Sequence, residues 1–279
     1  MRTLHAGSFR LSLARPLIMG IVNVTPDSFS DGGRFASTQA AVEHGLRLVE
    51  EGASLLDIGG ESTRPGAAPV SVEEEKQRVL PVIAALAAAG HVVSVDTRKP
   101  EVMRTALDAG AVMVNDVTAL RAPGALDIVA RSDAAVCLMH MQGEPQTMQH
   151  TPTYQHVVQE VQTFLRDRVD ACVASGISPS RIVIDPGFGF GKTLAHNLAL
   201  LKNMAQLAVG EVPLMAGMSR KSMLGAISGR ATGEREYAGV AAHLWAVAQG
   251  ALLLRVHDVA AMRDALAVWN AVKENEHGT

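Results

Sequence analysis

RIVIDPGFGFGKT, residues 181–193, can be read in two ways, and the choice decides the fold. Gly191-Lys192-Thr193 is the tripeptide that closes the phosphate-cradling loop of many nucleotide hydrolases. That loop needs a glycine five residues before Gly191, and Pro186, which has no N–H to offer a phosphate, stands there instead. In the second reading residues 181–186 are a short apolar run ending in an acid. Such a run fits a buried strand whose carboxylate, Asp185, emerges at the C-terminal end.

Seven other runs of this kind occur, at residues 16–24, 54–62, 91–97, 111–117, 134–141, 212–219 and 251–257. Several are almost wholly apolar, as strands covered on both faces must be. Between them the periodicity is helical, over 37–51, 72–89, 99–109, 122–131, 154–175, 194–207, 234–249 and 258–273. Ser37 or Thr38, Ser71 and Asp258 sit where N-caps belong. From Asn23 to His257 the runs recur about every 33 residues, the length of one βα unit. Eight units without a linker predict an α/β fold, a (β/α)8 TIM barrel filling residues 1–279 as one domain, with residues 2–15 forming a short N-terminal hairpin. An open doubly wound sheet, the competing architecture, usually has fewer strands and a dominant glycine-rich first turn.

Composition narrows the partners. The 279 residues carry a formal net charge of −3 and no run of Lys or Arg, so nothing marks a nucleic-acid or anionic membrane surface. No secretory leader is apparent at the N-terminus, and the longest apolar stretch, near residue 250, is broken by His243, Gln249, Gly250 and Arg255. A cytoplasmic protein acting on small molecules is expected. The two cysteines, Cys137 and Cys172, lack metal or redox spacing and read as buried thiols.

In a barrel the chemistry collects at the C-terminal ends of the strands. Polar residues fall there on every run: Asn23, Glu61-Ser62-Thr63-Arg64, Asp96, Asn115-Asp116, His140, Asp185, Ser219-Arg220-Lys221, and Arg255 with His257. His140 and His257 lie on different strands without metal spacing, and each suits a structural role as well as a ligand. Arg255 and His257, two apart, share a face just before a helix start at Asp258, an arrangement suited to an anion unless Arg255 pairs with a rim acid. Asp96, Asn115 and Asp185 offer acceptors to a flat heterocycle edged with N–H donors, and Lys221 complements an acceptor oxygen. Residues 25–36 and 61–70 read as loops able to close over a substrate, and Lys192 and Thr193 as bystanders or helix-start residues.

Eight ordered motifs, GIVNVTPDSFSDGG, DIGGESTRPGA, SVDT, VNDV, LMHMQGEPQTMQ, DPGFGFGKT, MSRKSMLG and RVHDV, closely resemble the signatures of the dihydropteroate synthase family of the folate pathway. The resemblance implies a transferase that joins 4-aminobenzoate to 6-hydroxymethyl-7,8-dihydropterin diphosphate and releases pyrophosphate, with Asp96, Asn115, Asp185 and Lys221 as the catalytic group. It places the pterin on those four residues, Met139 and Gly217. It places the diphosphate on Asn23, Thr63, Arg64, Arg255 and His257, with Mg2+ held through Asn23. It places the aminobenzoate among Thr63, Arg64, Pro65, Phe190, Lys221 and Ser222, under a first loop carrying Phe29 and Asp31. It further implies a homodimer, with Trp245 and Trp269 at the interface, and competition by sulfonamides. Two rivals share the pterin residues: a pterin-dependent methyltransferase, which has no evident use for an anion site, and a non-catalytic homologue.

Overall fold

The structure, a computed structural model, describes residues 2–25, 33–62, 68–144 and 147–275. An antiparallel hairpin, β1 (Thr3–Ala6) and β2 (Phe9–Ser12), comes first. Eight parallel strands follow: β3 (Leu17–Asn23), β4 (Leu55–Gly59), β5 (Val93–Asp96), β6 (Met113–Asp116), β7 (Ala135–Met139), β8 (Ile182–Asp185), β9 (Leu214–Ala216) and β10 (Ala251–Val256). They close in the order β10-β3-β4-β5-β6-β7-β8-β9, with β10 pairing β3 through Leu253 and Leu17, so the sheet has no free edge. The expected barrel and hairpin are both present, and the open sheet is excluded.

Successive strand residues face opposite sides. One set, Ile18, Val22, Leu56, Ile58, Val95, Val136, Leu138, Ile184 and Leu254 among it, is buried against the helices. These are α1 (Gly33–Glu51), α2 (Val72–Ala88), α3 (Pro100–Asp108), α4 (Ala125–Ala130), α5 (Val157–Ala174), α6 (Leu194–Lys202), α7 (Ser222–Ser228), α8 (Glu236–Ala248) and α9 (Val259–Asn275). The alternate set fills the barrel. Its first layer, Met19, Leu55, Met113, Ala135, Val183, Met215 and Leu253, packs with Leu4 and Ala6 of the hairpin, which stoppers the N-terminal end. Two residues further along the same strands come Asp57, Asn115, Asp185, Gly217 and Arg255. The interior thus turns from apolar to polar within one strand repeat, and the polar side is the C-terminal mouth.

Several boundaries differ from the sequence reading. α1 begins at Gly33, so Ser37 and Thr38 lie inside it and are not caps. Ser71 does cap α2, its Oγ accepting the Glu74 N–H at 3.2 Å. Asp258 precedes α9, and its carbonyl accepts the Met262 N–H at 3.2 Å. α4 starts at Ala125, three residues later than expected, because Ala119, Leu120 and Gly124 all take positive φ. The helix expected over 194–207 ends at Lys202 and is followed by a 3-10 turn, Met204–Leu207. α7 was not foreseen: its seven residues are too short for a helical period to show. β4 stops at Gly59 and β9 at Ala216, so Glu61, Ser62 and the Ser219-Arg220-Lys221 segment belong to loops above the strands.

Candidate active site

The mouth of the barrel encloses a cavity of about 560 Å³. Asn23, Asp96, Asn115, Met139, Asp185, Phe190, Gly217, Lys221, Ser222, Arg255 and His257 all line it. Thr63, Arg64, Pro65, Phe29 and Asp31 lie outside the described residues. The sequence reading passed over Ile21, Val117 and Met148, apolar wall residues of the cavity, and Gln149, Thr232 and Arg235 from the surrounding loops.

The acid at the end of β8 sits where the opening stretch predicts. Asp185 is buried, and its Oδ1 accepts the Gly187 N–H at 2.7 Å. Burial raises its pKa, against the pull of Lys221 and that hydrogen bond. Beyond it the chain folds back tightly. A Cβ on Gly187 would lie 1.9 Å from the His140 carbonyl oxygen, and one on Gly191 would lie 2.4 Å from that of Gln142, so neither position admits a side chain.

Lys192 is no bystander. It is buried, with Nζ 2.9 Å from His140 Nδ1, 2.9 Å from the Gly187 carbonyl and 2.9 Å from the Phe190 carbonyl. Burial first, then Asp185 and Lys221 with opposite signs, leave its pKa lowered to about 7. His140 is correspondingly structural. Burial and then Lys192 push it down to about 3, which keeps the ring neutral and able to accept from the ammonium. Thr193 starts α6 through a capping box with His196.

Lys221 reaches the cavity from the loop after β9. Its Nζ donates to the Phe188 carbonyl at 2.5 Å and lies 4.7 Å from the centre of the Phe190 ring, within cation–π range. Burial pulls its pKa down to about 8, with Asp185 opposing. The loop is held at successive positions: the Met218 N–H by His243 Nε2 at 3.3 Å, Ser219 Oγ by His257 Nδ1 at 3.0 Å, and the Arg220 and Lys221 carbonyls by Arg235 at 3.0 and 3.3 Å. Arg220, at a left-handed φ of 59°, turns its guanidinium to Asp258. Lys99 similarly anchors the loop after β4, its Nζ 2.5 Å from Glu61, 2.5 Å from Glu75 and 2.6 Å from the Val70 carbonyl.

Arg255 is placed differently from a free anion ligand. Its Nε donates to Asp57 at 2.6 Å and its Nη2 to Asp96 at 2.7 Å. Burial disfavours its charge, yet the two carboxylates outweigh burial and raise its pKa. The pairing of Arg255 with an acid is therefore the arrangement present, and two acids share it. Asp96 is raised, first by burial, with Arg255 opposing and Asp57 adding to the rise. Asp57 also takes a bond from Asn115 Nδ2 at 2.8 Å. Sequence reasoning missed Asp57 altogether, although an acid in the middle of the apolar run LLDIG, at the same parity as Gly59, was a visible signal.

The resulting site is a slot with acceptors on Asp96, Asn115 and Asp185, one ammonium on Lys221, apolar sides from Met139, Val117 and Phe190, and Asn23, Ser219 and His257 at one end. It can hold a flat polar heterocycle by directed pairs and leaves room beside His257 for an extended substituent.

Comparison with known proteins agrees with this geometry. A model of the family described as "Pterin binding enzyme" matches residues 19–257. Dihydropteroate synthase of Neisseria meningitidis serogroup B is 52% identical over 97% of this chain and 98% of its own length. Among solved structures, Xanthomonas albilineans dihydropteroate synthase with 4-aminobenzoic acid superposes with a TM-score of 0.92 at 56% identity, covering 97% of this chain and 98% of that one. Yersinia pestis dihydropteroate synthase in a sulfonamide drug complex gives 0.92 at 46% identity, covering 98% and 99%. Matched from β3 to just past the end of β10, the chain belongs to the pterin binding enzymes, among the dihydropteroate synthases.

Proposed function

We propose that this enzyme condenses 4-aminobenzoate with 6-hydroxymethyl-7,8-dihydropterin diphosphate, forming 7,8-dihydropteroate and releasing pyrophosphate. The observation that carries the assignment to residues is the convergence of Asp96, Asn115, Asp185 and Lys221 on one cavity from four different segments. In the pterin slot Asp185 and Asn115 accept N–H donors of the ring, and Lys221 faces an acceptor atom of it. Met139 and Gly217 bound the slot; a Cβ on Gly217 would stand 3.5 Å from Asp185 Oδ2 and narrow it. The diphosphate extends toward Asn23, Ser219 and His257, with Arg255 behind it; the resemblance adds Thr63 and Arg64, which lie outside the described residues. The aminobenzoate lies beside Phe190, Lys221 and Ser222, and the resemblance adds Pro65, which lies outside the described residues.

The chemistry needs no protein nucleophile. The bond from the pterin methylene to the diphosphate oxygen breaks, the amine nitrogen forms the new bond to that carbon, and the amine loses a proton. While the methylene is cationic, the acceptor oxygens of Asp185 and of its neighbours Asp96 and Asn115 face the developing positive charge. The resemblance assigns exclusion of water from the cation to a first loop carrying Phe29 and Asp31, which lie outside the described residues.

Mg2+ fits the site as an ion arriving with the diphosphate. Among the described residues there is no cluster of three His, Cys, Asp or Glu side chains to hold it alone. The amide oxygen of Asn23 is a hard ligand, and Mg2+ characteristically takes the remainder from phosphates and water. When bound, the ion neutralises the departing charge.

The same reading makes sulfonamides competitors of 4-aminobenzoate. It places the enzyme in the cytoplasm, a compartment in which Cys137 and Cys172 stay reduced. It also makes the enzyme a homodimer. Exposed Tyr237, Trp245, Val268 and Val272 on α8 and α9 supply an apolar face, while Trp269 is half-buried, and sedimentation would measure the association.

The deciding experiment follows pyrophosphate release from the pterin diphosphate with Mg2+, with and without 4-aminobenzoate, in wild type and Lys221→Ala. Release coupled to dihydropteroate formation and lost in the variant supports the reading. Absence of release from folded wild type overturns it.

A further inference from the structure

Asp57 has no part in the roles above, yet it is fully buried beneath the cavity in the middle of β4. Its layer could have been apolar, as Leu55 is one repeat below, and burying a carboxylate is costly unless it is paired. The pairing is specific. One oxygen, Oδ2, accepts both the Arg255 Nε–H at 2.6 Å and an Asn115 Nδ2–H at 2.8 Å. The other oxygen, and the Oγ of Ser94 at the paired position on β5, are buried without a partner. The acid is therefore not placed to satisfy its surroundings evenly; its bonds run only to two residues that line the cavity.

We infer that Asp57 is a positioning and specificity-determining residue for the pterin, acting through Asn115 and Arg255. An asparagine amide offers oxygen on one side and NH2 on the other, in two orientations of almost the same shape. An oxygen that already takes the Arg255 Nε–H, as Asp57 Oδ2 does, presents a lone pair and not a proton to Asn115. With Asp57 in place the NH2 of Asn115 must turn toward it, because the flipped amide would set two acceptors against each other. The Asn115 carbonyl oxygen is thereby assigned to the cavity, where it pairs with a ring N–H and rejects a heterocycle carrying an acceptor at that point. The same oxygen holds Arg255 beside Asp96. This inference rests on the pterin reading of the site.

The test is equilibrium binding of 6-hydroxymethylpterin to the full-length protein, in wild type, Asp57→Asn, Asp57→Leu, Asn115→Ala and the double variant Asp57→Leu/Asn115→Ala, with thermal unfolding of each. Asparagine keeps one carbonyl oxygen able to accept both bonds, so Asp57→Asn binds within about threefold of wild type. Asp57→Leu removes the acceptor at similar volume and weakens binding about tenfold or more, as does Asn115→Ala. Adding Asn115→Ala to Asp57→Leu costs less than about threefold more, because both changes remove one shared interaction. Asp57→Ala takes the place of the leucine variant should the latter not fold. Wild-type affinity in the leucine or alanine variant, an equal loss in Asp57→Asn, or additive losses in the double variant would each overturn the inference. Wild-type protein that binds no pterin would remove the reading beneath it.

Discussion

The two ends of the barrel interior are made by the same strands, one residue pair apart, and they obey opposite rules. At the floor Met19, Leu55, Met113, Val183, Met215 and Leu253 meet the hairpin in a dry, close-packed layer. At the mouth, Asp57, Asn115, Asp185 and Arg255 replace that packing with buried charge, and two buried polar atoms of its strands, Asp57 Oδ1 and Ser94 Oγ, are left without hydrogen bonds among the described residues. The mouth carries groups that folding alone disfavours, whereas the floor is packed by apolar side chains. Changes at the two ends should therefore separate activity from stability.

The largest effect is expected at the mouth. Asp185→Asn keeps a carbonyl oxygen for the Gly187 N–H but removes the charge, and kcat/KM for the pterin substrate should fall about 10²- to 10³-fold. Its unfolding midpoint should stay near that of wild type, since burial already disfavours the ionised form. A fall in stability matching the fall in activity would break the contrast. The floor should behave in the opposite way. Leu4→Ala opens a cavity at a fully buried position and should cost about 2–4 kcal/mol by denaturant titration, with KM for the pterin unchanged in the surviving native enzyme.

Between floor and mouth, the Gly187–Lys192 turn combines close packing with a buried charge. Lys192→Met replaces the ammonium by a chain of similar length and strands His140 Nδ1 and the Gly187 and Phe190 carbonyls. A loss of about 2–3 kcal/mol follows from the unpaired acceptors. Activity should fall with it, because Phe190 lines the cavity on the loop that these bonds fix. Full activity in the variant would show that the glycine turns alone shape that loop.

What could be read from the sequence follows the same division. The strands were legible because both faces are buried, which makes each a nearly unbroken apolar run, and the rim acids were legible because they end those runs. Asp57 was not, because it interrupts a run instead of ending it, and its function depends on Arg255, 198 positions away. Lys192 was misread because a lysine in a glycine-rich stretch is ordinarily solvated; only the inward turn of carbonyls at Gly187 and Phe190 makes a buried ammonium tenable. α7 escaped because local propensity over seven residues is weak, whereas the Arg235 contacts that hold the segment before it are distant in sequence. The cap of α1 was misplaced because the apolar period shows only past Ser37, while the helix already begins at Gly33.

The smallest effect at neutral pH, and the sharpest probe of the mouth, is the titration of Lys221. Its folded pKa, about 8, lies below the ordinary lysine value of 10.5, and burial is the main cause. Below about pH 8 both folded and unfolded chains carry the proton, and the folded state bears the cost of burying the charge. Between about 8 and 10.5 the unfolded chain holds more proton than the folded one, so this group makes stability rise with pH across that window. Binding runs the other way. If the ammonium faces an acceptor on the pterin, kcat/KM falls about tenfold for each unit above the free-enzyme pKa, and Lys221→Gln removes that limb. Measured together, a stability that climbs while kcat/KM drops over the same pH range would show that one buried charge is costly to the fold and useful to the substrate. A kcat/KM that stays flat through pH 9 in wild type would take Lys221 out of ligand binding and leave it as a clamp on the Phe188 carbonyl.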